Sequence, residues 1–206
     1  MEERDPFARV DPSDDAVFYA VERRVVHLEP GAIEALRAFY ATVLPAGAVV
    51  LDLMSSWRSH LPAGLGAVTG LGMNAAEMAD NPQLDDVAVH DLNRQPRLPF
   101  DDESFDAVAC AVSVQYLTRP LEVLADVRRV LRPGGPVVVS FSNRCFPTKA
   151  VAIWVASGSD GHRRLVQEYL ERAGFASVTD VAVPSPDDPL FVVWGRRPDD
   201  DGSVPP

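Results

Sequence analysis

A chain of 206 residues, 47% of them apolar and 24% charged, has the length of one α/β domain and enough apolar mass for a core without disulfides or metal. A formal charge of −11 excludes a protein built to grip a phosphate backbone, because nonspecific nucleic-acid affinity comes from clustered cations.

The two cysteines, Cys110 and Cys145, lie far apart and the four histidines show no ligand spacing, so no disulfide framework and no metal site are expected. That cysteine usage points to a reducing, cytoplasmic setting. No apolar run approaches the roughly 18 residues of a membrane span, and the acidic opening Met1–Asp5 is unlike a signal peptide, so no membrane partner is expected. Oligomeric state leaves no mark in the sequence.

In chain order, residues 1–29 read as an N-terminal arm or cap, charged and Pro-punctuated at first. Pro30–Gly31 opens a helix with Ile33, Leu36, Phe39, Tyr40, Val43 and Leu44 at helical spacing, ended by Pro45 and Gly47. Strand-like runs follow at 48–53, 66–71, 86–90, 105–114 and 136–141. Pro62 leaves little more than one turn for a helix after the first of them. A helix from Thr118 to Leu131 precedes the fifth strand and stops at Arg132–Pro133–Gly134–Gly135. Another runs from about Asp160 to Ala173, and the runs 176–183 and 190–196 are close enough to form an antiparallel pair. Residues 198–206 read as a disordered acidic tail. The unbroken apolar runs Val49–Leu51 and Val137–Val139 suit strands covered on both faces, hence a parallel sheet.

Two stretches carry a resemblance: Leu98-Pro-Phe-Asp-Asp-Glu-Ser-Phe-Asp-Ala-Val108, and Arg128-Arg-Val-Leu-Arg-Pro-Gly-Gly135. With the order of elements, they are similar to the type 11, ubiquinone-biosynthesis-like branch of the class I S-adenosylmethionine-dependent methyltransferases. The resemblance implies a Rossmann-like doubly wound α/β sheet of seven strands in the order 3-2-1-4-5-7-6, mostly parallel with one antiparallel strand, over residues 30–197. It implies S-adenosyl-L-methionine as cofactor and a small-molecule acceptor, with no nucleic acid.

Its ligand positions are altered. The family's first loop reads acidic-x-Gly-x-Gly-x-Gly; here Asp52 matches the acid, while Met54, Ser56 and Arg58 stand at the three glycines. Gly72 stands where the family places the acid that accepts the ribose hydroxyls, leaving Asn74 or Glu77 as substitutes. Asp91, after the third strand, matches the residue that takes the adenine amino group. The cofactor set implied is therefore Asp52, Leu53, Met54, Ser55, Ser56, Gly72, Met73, Asn74, Asp91, Leu92 and Ser113. Tyr116, Asn143 and Arg144 are candidates for positioning the acceptor, with no general base assigned; alternatively, Arg144 pairs with a surface carboxylate. Asp52 could equally hold the loop together, Trp57 could stack on a base or cap the sheet, and Lys149 is expected at the surface.

The altered positions keep a second class open: a methyltransferase-fold protein that no longer catalyses and serves as a binding or regulatory partner. A nicotinamide-dependent reductase is disfavoured, since no G-x-G-x-x-G follows any strand.

Overall fold

The computed structural model describes residues 5–199 and 201–203, and expectations for residues 1–4, 200 and 204–206 lie outside it. Seven strands, β1 (Val50–Leu53), β2 (Val68–Gly72), β3 (Asp86–Val89), β4 (Ala107–Ala111), β5 (Pro136–Phe141), β6 (Ala176–Val183) and β7 (Leu190–Arg196), form one sheet. Their order is β3-β2-β1-β4-β5-β7-β6, as the resemblance implied. β7 runs antiparallel to both of its neighbours, and the remaining pairings are parallel.

Every residue of β1 and β5 is buried, which accounts for their unbroken apolar runs. Successive side chains alternate between the two faces of the sheet. Val50 and Val138 join Leu36 and Tyr40 of helix α2 (Pro30–Val43) on one side. Leu51, Val137 and Val139 join Val123, Leu124 and Val127 of α4 (Pro120–Val130) and Val166 and Leu170 of α6 (Ser159–Arg172) on the other. Full burial of each such side chain contributes roughly 1.5–3 kcal/mol, an upper value because unfolded chains are already partly compact. Three shorter helices, α1 (Asp15–Tyr19), α3 (Ala75–Ala79) and α5 (Ala152–Val155), complete the set.

Two expectations are corrected. No turn of helix follows β1: residues 54–67 run without regular structure. Pro62 lacks an amide, and Gln83 supplies the partners a helix would have offered, accepting from the Leu61 amide at 3.3 Å and donating to its carbonyl at 2.8 Å. β4 is also shorter than 105–114. Val112 turns into the left-handed region and a single 3-10 turn, Val114–Tyr116, follows.

The two motifs that carried the resemblance are tied to each other. Arg129 donates to Asp126 through Nε at 2.7 Å, to Asp102 and the Phe100 carbonyl through Nη1, and to the Leu98 carbonyl through Nη2. Asp106 accepts the Val49 amide at 2.7 Å and the Arg132 guanidinium, fixing the turn against the start of β1. Both motifs therefore act as scaffold. Arg129→Ala is expected to lower stability by about 2–4 kcal/mol in urea titrations, because it strands Asp126 and two carbonyls. Arg172→Ala, which breaks an exposed helical pair with Glu168, should leave the midpoint almost unchanged.

Candidate active site

β1 ends in a buried carboxylate held by hydroxyls. Asp52 Oδ2 accepts Ser55 Oγ at 2.5 Å and Ser59 Oγ at 2.6 Å. Asn81 then donates to Ser59 Oγ and to the Ser56 carbonyl, and Ser56 Oγ donates to Glu77 Oε2 at 2.6 Å. This side-chain network gives the loop a fixed path in place of a helix. Burial pushes the Asp52 carboxyl up to about 6, with the two serine hydroxyls opposing that rise.

Three non-glycine residues around the loop and the end of β4 take left-handed backbone: Met54 at φ 60°, His60 at φ 59° and Val112 at φ 46°. Such geometry costs about 1–2 kcal/mol per residue outside glycine and is rarest for β-branched side chains. Met54 thus keeps the turn that a glycine would supply, with its side chain packed against the apolar core.

The same loop explains Gly72. The Ser55 amide donates to the Leu71 carbonyl at 2.7 Å, drawing the loop onto the end of β2. A Cβ on residue 72 would lie 2.2 Å from the Ser55 carbonyl oxygen. Only glycine fits, so residue 72 and the path of the loop after β1 share one steric constraint.

A cleft of about 150 Å³ opens at the carboxyl ends of β1, β2, β3 and β4. It brings together Asp52, Met54, Ser55, Ser56, Gly72, Met73, Asn74, Asp91, Leu92, Ser113 and Tyr116. Leu53 is turned into the core, and Asn143 and Arg144 are not among the cleft walls. Arg144 pairs with Glu29 at 2.7 Å and Asp188 at 2.9 Å. Asn74 caps α3 through Oδ1 and donates to the Tyr19 carbonyl. Asp91 Oδ1 accepts the Asn93 and Arg94 amides, which fixes the turn after β3.

The N-terminal arm supplies the outer wall. Asp15, Tyr19, Arg23, Val25 and His27 line the cleft opposite the sheet. The arm is tied down by Arg23 N–H to Glu77 Oε1 at 2.5 Å and by Trp57 Nε1 to the Val25 carbonyl at 3.0 Å. Lys149, expected at the surface, is instead fully buried: its Nζ reaches the Ser13 carbonyl at 2.8 Å, Asp15 at 3.2 Å and Asp11 at 3.4 Å. Burial works to raise the Asp15 carboxyl, but hydrogen bonds from Arg9 and Asn93 outweigh it and hold the group below its ordinary value. These arm contacts leave little sign in the sequence, since nothing in the spacing of Asp15, Lys149 and Asn93 marks them as neighbours.

Tyr116, Phe146 and His27 form an aromatic side of the cleft, with ring centroids 6.0 Å apart for Tyr116 and Phe146 and 4.7 Å for His27 and Phe146. Burial and the nearby Arg144 lower His27, and burial with Arg37 and Arg58 takes His60 down to about 4, so both imidazoles are neutral near pH 7.

The family model described as "Methyltransferase domain" matches residues 60–139, from the end of the altered loop through most of β5. Among curated proteins, a demethylmenaquinone methyltransferase of Paenarthrobacter aurescens is 31% identical over 164 residues, covering 75% of this chain and 58% of that protein. A ubiquinone/menaquinone biosynthesis C-methyltransferase of Bordetella avium is 30% identical over 132 residues, covering 64% and 46%. A solved S-adenosylmethionine-dependent methyltransferase from Aquifex aeolicus shares the fold with a TM-score of 0.59 at 19% identity, over 82% of this chain and 93% of that one. The chain is similar in sequence to these methyltransferases over part of their length and shares the methyltransferase fold. It spans about half the length of the curated relatives it matches. Against the methyltransferase pattern the strand order and both scaffold motifs are kept, and the departures are confined to the loop after β1 and the end of β2.

Two outcomes follow for this loop. Relieving left-handed strain should make Met54→Gly more stable than Met54→Ala by about 1 kcal/mol in thermal unfolding, the reverse of the order in a helix. A carboxyl with a raised folded value stabilises fully below its unfolded value near 4 and loses that contribution as pH rises through 6. Wild type should therefore lose about 3 kcal/mol relative to Asp52→Asn between pH 4 and pH 6 and stay level above it, as read by denaturant titration at each pH.

Proposed function

We propose that this chain transfers a methyl group from S-adenosylmethionine to a small molecule, in a cytoplasmic setting that the two free cysteines support. In this reading residues 1–29 are the cap, 30–197 the methyltransferase-like domain and 198–206 the tail. Among the described residues no helix is long and apolar enough to cross a membrane.

The observation that carries the proposal is the cleft at the carboxyl ends of the parallel strands, beside the neighbours β1 and β4 where the strand order reverses and where α/β sheets take their ligands. The residues there suit the cofactor. Asp91 and Leu92 would hold the adenine end beside Met73. The Asp52–Ser55–Ser56 loop and Ser113 would hold the amino-acid end, with Met54 keeping the turn and lining the cleft from its core side. When bound, the cofactor supplies a methyl group made electrophilic by its sulfonium.

The chain's own contribution is alignment, which can supply much of the rate of an in-line displacement. Tyr116 and Phe146, their ring planes 31° apart, form the aromatic wall on which an acceptor would lie; the Tyr116 hydroxyl accepts the Phe146 amide at 2.8 Å, which fixes the ring. The cations near the cleft are engaged. Arg23 lies over Phe18 and donates to backbone carbonyls, Arg58 lies over Trp57, and Arg144 clamps the arm's end to Asp188. That favours an uncharged, planar acceptor over a phosphorylated one. The names of the relatives place their acceptors in quinone biosynthesis, and a flat ring of that kind suits this wall.

The filled position beside Gly72 favours one rival, a methyltransferase-fold protein that binds without catalysing. Ligand-linked melting separates the two. At about a hundred times its dissociation constant, S-adenosylmethionine or S-adenosylhomocysteine should add about 2.7 kcal/mol, a shift of several degrees, and Asp91→Ala should diminish it. Absence of any shift at millimolar ligand would overturn the proposal. A normal shift with no methyl transfer across a broad panel of phenols and quinols would favour the rival.

A further inference from the structure

The geometry points to Glu77 as the group that takes the ribose diol of the cofactor in this chain, in place of any side chain at the end of β2. The inference rests on the cofactor reading above and goes beyond it by assigning a specificity-determining residue that lies one helical turn away, on α3.

Four carboxylates line the cleft: Asp15, Asp52, Glu77 and Asp91. Asp15 is engaged by Arg9, Asn93 and Lys149. Asp52 is already given two serine hydroxyls. Asp91 lies beyond β3 and uses one oxygen to hold its own turn. Glu77 differs from all three. It is only 8% exposed, and each carboxylate oxygen has one donor: Oε2 takes Ser56 Oγ, and Oε1 takes the Arg23 amide.

An ionised carboxylate has about four acceptor positions, so one remains on each oxygen. Two acceptor positions on a single rigid carboxylate match the two hydroxyls of a vicinal diol. Ser56 and Arg23 hold the carboxylate from the β1 loop and from the arm, so little rotamer freedom is left to lose on binding. The end of β2 cannot compete, because the Ser55 carbonyl occupies the space of any side chain at residue 72.

Hydrogen bonds to a charged acceptor are worth enough to give about ten- to hundredfold in affinity. The test is calorimetric titration of wild type and Glu77→Gln with S-adenosylhomocysteine and with its 2′,3′-dideoxy analogue. The expected result is a wild-type preference of at least about tenfold for the diol, with most of it lost in Glu77→Gln and the affinity for the dideoxy analogue unchanged. If Glu77 only anchors the arm, the substitution weakens both ligands alike and the inference is overturned. A wild type that binds both ligands equally overturns it too, whatever becomes of the variant. A wild type that binds neither ligand defeats the cofactor reading itself and this inference with it, a failure distinct from loss of discrimination alone.

Discussion

The close approach of the Ser55 carbonyl to Gly72 is the constraint on which the rest of the cleft depends. Once the loop after β1 lies against the end of β2, the backbone of residue 72 must be bare. The loop must also satisfy its polar groups without a helix to do so. Asp52, Ser55, Ser59 and Asn81 meet that need with side chains, at the cost of burying a carboxyl where its charged form is disfavoured. The left-handed residues Met54 and His60 belong to the same path. Strain of this kind persists only where the surroundings over-determine it, and it gathers at ligand sites.

The arm completes what the loop begins. Its contacts with the body come from different segments: Glu77 and Asn74 around α3, Trp57 on the loop, Asn93 after β3, and Lys149 beyond β5. Such a distribution ties the arm to the same elements that shape the cleft floor. Disturbing the loop would therefore alter the wall opposite it as well. The core beneath is indifferent to these details, since the apolar faces of α2, α4 and α6 are packed against strand residues on the sheet's two faces.

How much of this was legible in the sequence follows from how local each signal is. The parallel sheet could be read from unbroken apolar runs and helical spacing, and the strand order from the resemblance that the Arg129-centred motifs carry, because each of these signals is encoded over short windows. Asp91 could be placed after the third strand, but its hold on the Asn93 and Arg94 amides could not be read. Gly72 was visible as a departure, yet its cause was not, because it depends on a carbonyl 17 residues earlier in the chain. The short helix expected between β1 and Pro62 is absent, and Gln83, distant in sequence, pairs with the Leu61 backbone instead. Lys149 and Asp15 are ordinary polar residues in sequence; only the fold makes them a buried pair. Arg144 could be placed near the end of β5 but not assigned between ligand and ion pair, since Glu29 and Asp188 reach it from two other elements.

Lys149 has a further consequence. It is the sole lysine of the chain, and its ammonium is sealed beneath the arm by Asp11, Ser13 and Asp15. Every other side-chain cation is an arginine guanidinium or a histidine, neither of which acylates as an amine does. The molecule thus carries a single side-chain amine, and it is buried against the arm. Amine-selective acylation at this position would report how often the arm lifts from the body, with no probe introduced and no competing side-chain amine to obscure it.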